Sequence, residues 1–154
     1  MPKAIIPDTS SLILFHKIYE FDILKKVYKK LTITKEIAAE FNADLPEWID
    51  VVEVKDKKYQ EILETQIDKG EASAIALAKE SDDPLLILDD RKARKVADKL
   101  KLKITGTLGV IHKAKQMGVI KMVKPFLDKM LFTDFRISDS IIKEMLKLNN
   151  EEEQ

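Results

Sequence analysis

The sequence predicts a three-layer α/β/α fold, with a central, mostly parallel sheet of four to five strands and a helical C-terminal extension. Three observations carry this. Short apolar runs alternate with helical patterns along most of the chain. Two of the runs, at 4–7 and 85–88, are apolar without alternation, as strands covered on both faces are. Gly106 and Gly118 bracket a helical segment, as turn and helix boundaries require.

Taken in order, the strand at 4–7 runs into a helix over 10–19. Weaker strands are expected at 31–33 and 51–54, followed by helices over 34–41 and 55–68. The stretch "GEASAIALAK" predicts a helix over 71–79 packed closely on a core, because Ala and Leu favour helix and the apolar positions 74, 75, 77 and 78 share a face. The strand at 85–88 leads into a helix over 91–100, and "LKIT" at 102–105 leads into one over 108–117. Residues 121–148 read as one or two amphipathic helices broken near "FTDFRIS", before an acidic tail, "NNEEEQ", expected to fray. With no repeat and no linker, residues 1–154 read as one domain, its core at about 4–120 and its extension at 121–148.

Composition narrows the chemistry. Cysteine is absent, which excludes disulfides, thiolate catalysis and cysteine-bearing zinc sites and points to a reducing, cytoplasmic setting. Only His16 and His112 are available as imidazole ligands, so metal chemistry falls to carboxylates. Lys+Arg and Asp+Glu both number 27, so any basic nucleic-acid surface must be local. A charged fraction of 35% fits the surface ion-pair habit of thermophile proteins. No apolar run approaches the ~18 residues of a membrane span, and no membrane association is expected.

The candidate site lies at the strand ends. In an open parallel sheet, ligands bind beyond the carboxyl ends of the strands where strand order reverses. Asp8 follows the first strand and Asp89–Asp90 follow "LLIL", so two strands deliver acids to one edge, a donor set suited to a hard cation. Each acid also reads as a helix cap, Asp8 before "TSS", Asp90 before "RKAR", and Glu71 in a first turn. Glu40 gains nothing from capping late in "TKEIAAEF", yet it lies beside the stripe of Ile33, Ile37 and Phe41. Glu36 lies further round and is expected to be exposed. Basic candidates for phosphate contact are Arg91, Lys92 and Arg94, with Lys113 and Lys115 beyond. "KKVYKK" at 25–30 reads as an outer face, His16 and His112 as packing or surface residues, and Trp48 as a loop anchor.

The constellation "IIPDTSSLI", "ITKEIAAEF", "KGEASAIALAKE" and "LLILDDRKARKVADKLKLKITGTLGVIHKAKQMGVI" resembles the PIN-domain nucleases, the fold of VapC-type toxins, and in particular a branch with paired Asp and a Gly-Thr-Leu-Gly turn. The resemblance spans about residues 4–120. It implies a Mg2+- or Mn2+-dependent endoribonuclease with Asp8, Glu40, Glu71 and Asp90 as catalytic acids. Metal ligands would come from Asp8, Asp90, Asp89 and Glu71, with a supporting hydroxyl from Thr9 or Ser10. Many members carry Thr or Ser before the paired acids and an aromatic after them. Leu88 and Ala93 stand here instead, which leaves the choice between Asp89 and Asp90 open. The implied partners are RNA, an antitoxin protein and a second copy in a homodimer. A catalytically weak PIN-like binding or scaffold protein is the alternative. A receiver-type or phosphatase domain ranks below it, because "DTSS" lacks a second Asp.

Overall fold

The computed structural model describes residues 1–152. The first strand, β1 (Ala4–Pro7), ends in Asp8, whose Oδ1 accepts from the Ser11 backbone N–H at 2.9 Å and so starts helix α1 (Thr9–Lys17). Helix α2 (Phe21–Tyr28) was not anticipated. It buries Ile23, Leu24, Val27 and Tyr28 while Lys25 and Lys26 face water, so the basic stretch expected as an outer face is outer on one side only.

Strand β2 (Leu31–Thr34) passes directly into α3 (Lys35–Phe41), capped by the Thr34 hydroxyl, which accepts from the Ile37 N–H at 3.1 Å. The next strand, β3 (Ile49–Val52), starts two residues before the expected one, because the ladder pairs Leu31 with Ile49 and tolerates the half-exposed Asp50, held by Lys30 at 2.6 Å. The single helix expected over 55–68 is shorter. Helix α4 (Lys57–Leu63) ends in turns, and Asp68 then opens α5 (Lys69–Lys79) by accepting from the Glu71 N–H at 3.0 Å.

The remaining elements follow the expected order: β4 (Pro84–Ile87), α6 (Arg91–Lys99), β5 (Lys103–Thr105) and α7 (Thr107–Gln116). The extension is two helices, α8 (Lys124–Leu131) and α9 (Asp139–Leu148).

All strand pairings are parallel. The ladders join β1–β4–β5 and β2–β3, and β1 and β2 lie side by side between them. The spatial order is therefore β3, β2, β1, β4, β5, and it reverses between β1 and β4. Their register, Pro7 opposite Ile87, brings Asp8 level with the end of β4. Helix α5 carries the best-buried face, with every residue from Ala72 to Ala78 buried. The core continues through Ile6, Leu12, Phe15, Ile33 and Leu86. Burial of this kind supplies ~1.5–3 kcal/mol per large apolar side chain before entropy is counted.

The acidic tail departs from expectation through Glu151. Its side chain is 5% exposed and accepts from Lys115 Nζ at 2.7 Å, the Val123 N–H at 2.8 Å and the Lys124 N–H at 3.0 Å. It therefore caps α8, whose own N-cap, Val123, has no polar side chain. Burial opposes the charge, but these bonds outweigh it and hold the Glu151 carboxyl below its ordinary range. Asn149 is buried against His112 Nδ1 at 2.9 Å, and Leu127, Met130 and Met145 join the main core. Among the described residues, no helix is long and apolar enough to cross a membrane.

Candidate active site

Asp8 stands where the strand order reverses and is 2% exposed. Burial pushes its carboxyl up to about 6. The Ser11 bonds lower it, and repulsion from Asp89 and then Asp68 raises it further. Ser11, a residue the sequence reading passed over, is 1% exposed. Its hydroxyl also reaches the Ile87 carbonyl at 3.5 Å and Asp89 Oδ2 at 3.4 Å, joining the ends of β1 and β4.

Asp89 and Asp90 follow β4 with different partners. Asp89 Oδ1 accepts from the Thr107 N–H at 2.9 Å, and Oδ2 accepts from the Thr107 hydroxyl at 2.5 Å. Asp89 thereby caps α7 from another strand, since the helix's own N-cap is Gly106. A methyl group on Gly106 would lie 2.7 Å from Asp89 Oδ1 and 3.0 Å from an Arg94 guanidinium nitrogen. The glycine is there because those groups approach so closely. Asp90 is exposed and caps α6, accepting from the Ala93 N–H at 2.9 Å.

Glu71, half-buried in the first turn of α5, adjoins the same acids. Burial pushes it up to about 8, helped by repulsion from Asp68, Asp90 and Asp8 and by a hydrogen bond shared with Asp68. Asp68 was also missed, although its three-residue spacing to Glu71 in "DKGE" is that of a helix-starting cap. Glu40 is exposed, but its Oε1 accepts from the Thr9 hydroxyl at 2.6 Å. That oxygen occupies the space where a side chain on Gly70 would have to go, and the same side chain would crowd Thr9 Oγ1 at 3.2 Å. Of the two hydroxyls expected to support the site, Thr9 is the one that meets a candidate acid. Ser10 is exposed and makes no side-chain hydrogen bond among the described residues.

Two outer expectations are corrected. Glu36 is half-buried, hydrogen-bonded by Gln60 Nε2 at 2.5 Å and 3.6 Å from Lys57. Lys115 is committed to Asn149 and Glu151. Arg91 and Arg94 line a groove beside Asp89, while Lys92 and Lys113 lie outside that lining. His16 packs its ring on Phe21 and Phe41, and Trp48 meets Phe21 edge-on, so both are packing residues.

A family model described as PIN domain matches residues 4–151. The chain belongs to the PIN-domain family. Neither the curated proteins nor the solved structures contain a match to it. PIN domains are nucleases that usually depend on a divalent metal ion, and the parallel sheet flanked by helices is the PIN-like architecture. The donor chemistry of this PIN domain fits such an ion: the acids at the edge offer only oxygen, and Asp8 and Glu71 hold protons more tightly because of burial and, further, because their neighbours are acidic. Among the described residues, no three acids or histidines stand ready as a closed ligand set.

Proposed function

We propose that this PIN domain is a divalent-metal-dependent endoribonuclease that hydrolyses phosphodiester bonds in RNA through Asp8, Glu40, Glu71 and Asp90. The observation that carries the reading is that Asp8 and Glu71, whose charge burial already penalises, meet further acids at the β1–β4 switch: Asp89 and Asp68 act on Asp8, and Asp68, Asp90 and Asp8 act on Glu71. A cation relieves that penalty. Asp8 and Asp90 would hold it, with Asp89 and Glu71 sharing its oxygen shell. Mg2+ or Mn2+ in such a site lowers the pKa of a bound water and neutralises charge on the departing oxygen.

Glu71 is suited to take up, at its carboxylate, the proton that the attacking water sheds. The water oxygen bonds to phosphorus, the bond to the leaving sugar oxygen breaks, and that oxygen collects a proton from solvent. Glu40, fixed by Thr9, orients the water. Arg91 and Arg94 neutralise flanking phosphate.

The resemblance to VapC-type toxins extends the proposal. The chain would be the toxin of a toxin–antitoxin module, working in the cytoplasm as a homodimer, with a small antitoxin covering the edge. A short reading frame found beside the gene would support this, and its absence would count against it. The decisive assay incubates purified protein with labelled RNA, with Mn2+ or with EDTA, beside Asp8→Asn. Cleavage is expected only for wild type with Mn2+. Cutting that survives the chelator, or full activity in the variant, overturns the mechanism. The lack of a closed ligand set among the described residues favours one second reading, a PIN-like nucleic-acid-binding protein without turnover. Calorimetric titration with Mn2+ distinguishes them, since only the nuclease reading requires stoichiometric binding abolished by Asp8→Asn.

A further inference from the structure

Two separate grooves open beside the carboxylate edge. One, of about 580 Å³, carries Arg91, Arg94 and Lys95 from α6 together with Asp98, and reaches the edge at Asp89. The other, of about 490 Å³, lies between α3, α4 and α5. Lys35, Lys57 and Lys69 line it beside Glu36, and it reaches the edge at Glu40. They share no lining residue, and Asp8 and Glu71 repel acids on both sides: Asp89 and Asp90 toward the first groove, Asp68 toward the second.

The cations in these grooves are unevenly occupied. Among the described residues, Arg91, Arg94, Lys95 and Lys69 have no ion-pair partner within 4.0 Å, in a chain whose formal charges otherwise balance. Lys57 sits 3.6 Å from Glu36 and 3.9 Å from Glu53, and Lys35 sits 3.1 Å from Glu53. The two pairs to Glu53 are half-exposed and of small energy, so a phosphate can displace them. Glu36 is only 12% exposed and keeps its Gln60 bond, so Lys57 reaches a phosphate while remaining beside it.

We propose that a single-stranded RNA crosses the carboxylate edge from one groove to the other, its backbone held by Arg91 and Arg94 on one side and by Lys57 and Lys69 on the other. The inference rests on the nuclease reading and adds the lysine groove as a second phosphate subsite. Asp8 is 2% exposed, so a phosphate must press close against the edge to come within reach of it. A flexible single strand kinks to do so more readily than a stiff duplex. No aromatic ring lines either groove, so the contacts track backbone rather than stack on bases.

The test measures binding of a fluorescein-labelled oligoribonucleotide of about 12 nucleotides by anisotropy in EDTA, across a salt series. Wild type is compared with Arg91→Ala/Arg94→Ala, Lys57→Ala/Lys69→Ala and Lys69→Ala alone. Each double variant is expected to weaken binding about tenfold at low salt and to flatten the salt slope by about 1.4, as the loss of two phosphate contacts on a single strand predicts. Lys69→Ala removes no ion pair and is expected to show about half that slope change, so disturbance of the Lys57–Glu36 contact cannot account for the result. An equal-length duplex is expected to bind more weakly than the single strand. Unchanged affinity and slope in both lysine variants, with loss in the arginine variant, overturns the second subsite and leaves the nuclease reading standing. If wild type neither binds nor cuts RNA, both fall.

Discussion

Strands β1 and β4 end alike, in an aspartate leading into a helix, but the two ends are held in opposite ways. Asp8 is almost wholly buried and receives one backbone hydrogen bond, from Ser11, so burial and neighbouring acids leave its charge poorly compensated. Asp89 has both oxygens engaged by Thr107 and a further contact from Ser11. Asp89 therefore does structural work on α7, while Asp90, exposed with one oxygen engaged, is the freer of the pair under the proposed function. A buried carboxylate that costs stability is the kind of group that function retains.

The largest test of this contrast is Asp8→Asn, which keeps the helix cap and removes the charge. RNA cleavage is expected to fall ~100-fold or more. The metal-free variant should be more stable at pH 7, by up to about 3 kcal/mol, measured by urea denaturation. The sign follows from a folded pKa of about 6 against 3.8 for the ordinary group. Asp8's favourable contribution is complete below 3.8 and is lost as pH rises through about 6. Wild type should thus gain stability on acidification across that window, and the variant should lack this component.

Next is Gly70→Ala, which displaces the flexible end of Glu40 rather than backbone. Stability should change by no more than about 1 kcal/mol, since alanine favours the helix, while cleavage falls roughly 10–100-fold. Unchanged cleavage would remove Glu40 from the mechanism. Thr107→Val then tests the other strand end. It deletes the hydroxyl bond to Asp89 at nearly constant volume, with an expected cost of about 1–2 kcal/mol in thermal denaturation and about tenfold in cleavage. Smallest is Ser11→Ala. Its hydroxyl contacts are long, 3.4 and 3.5 Å, and should be worth less than ~1 kcal/mol, with cleavage altered only a few-fold. A larger loss would show that Ser11 couples the two ends more strongly than its geometry implies.

Much of the fold was legible because it rests on local patterns. The uninterrupted apolar runs became β1 and β4, and the Ala-rich stretch became the central helix α5. Elements with mixed signals were harder to read. Helix α2 hides its buried face among lysines, and β3 begins earlier because pairing with β2, not its own residues, sets its limits. The acidic tail is expected to fray, yet Glu151 is held by Lys115 and the open start of α8, partners some thirty residues away that local pattern cannot reveal.

The site divides in the same way. Sequence determined that acids follow β1 and β4, because a strand period switching to a helical one locates those junctions. It singled out Glu40 by its place late in a helix beside an apolar stripe, and resemblance gave Glu40 and Glu71 their roles. Tertiary structure alone decided how each acid is held: Glu40 by Thr9 across the space left by Gly70, Asp89 by Thr107 across that left by Gly106, and Asp68 and Ser11 drawn in beside them. The reason is physical. A residue's type and spacing set what it can donate or accept, but burial, repulsion and hydrogen-bond partners depend on groups that meet only when the chain is folded.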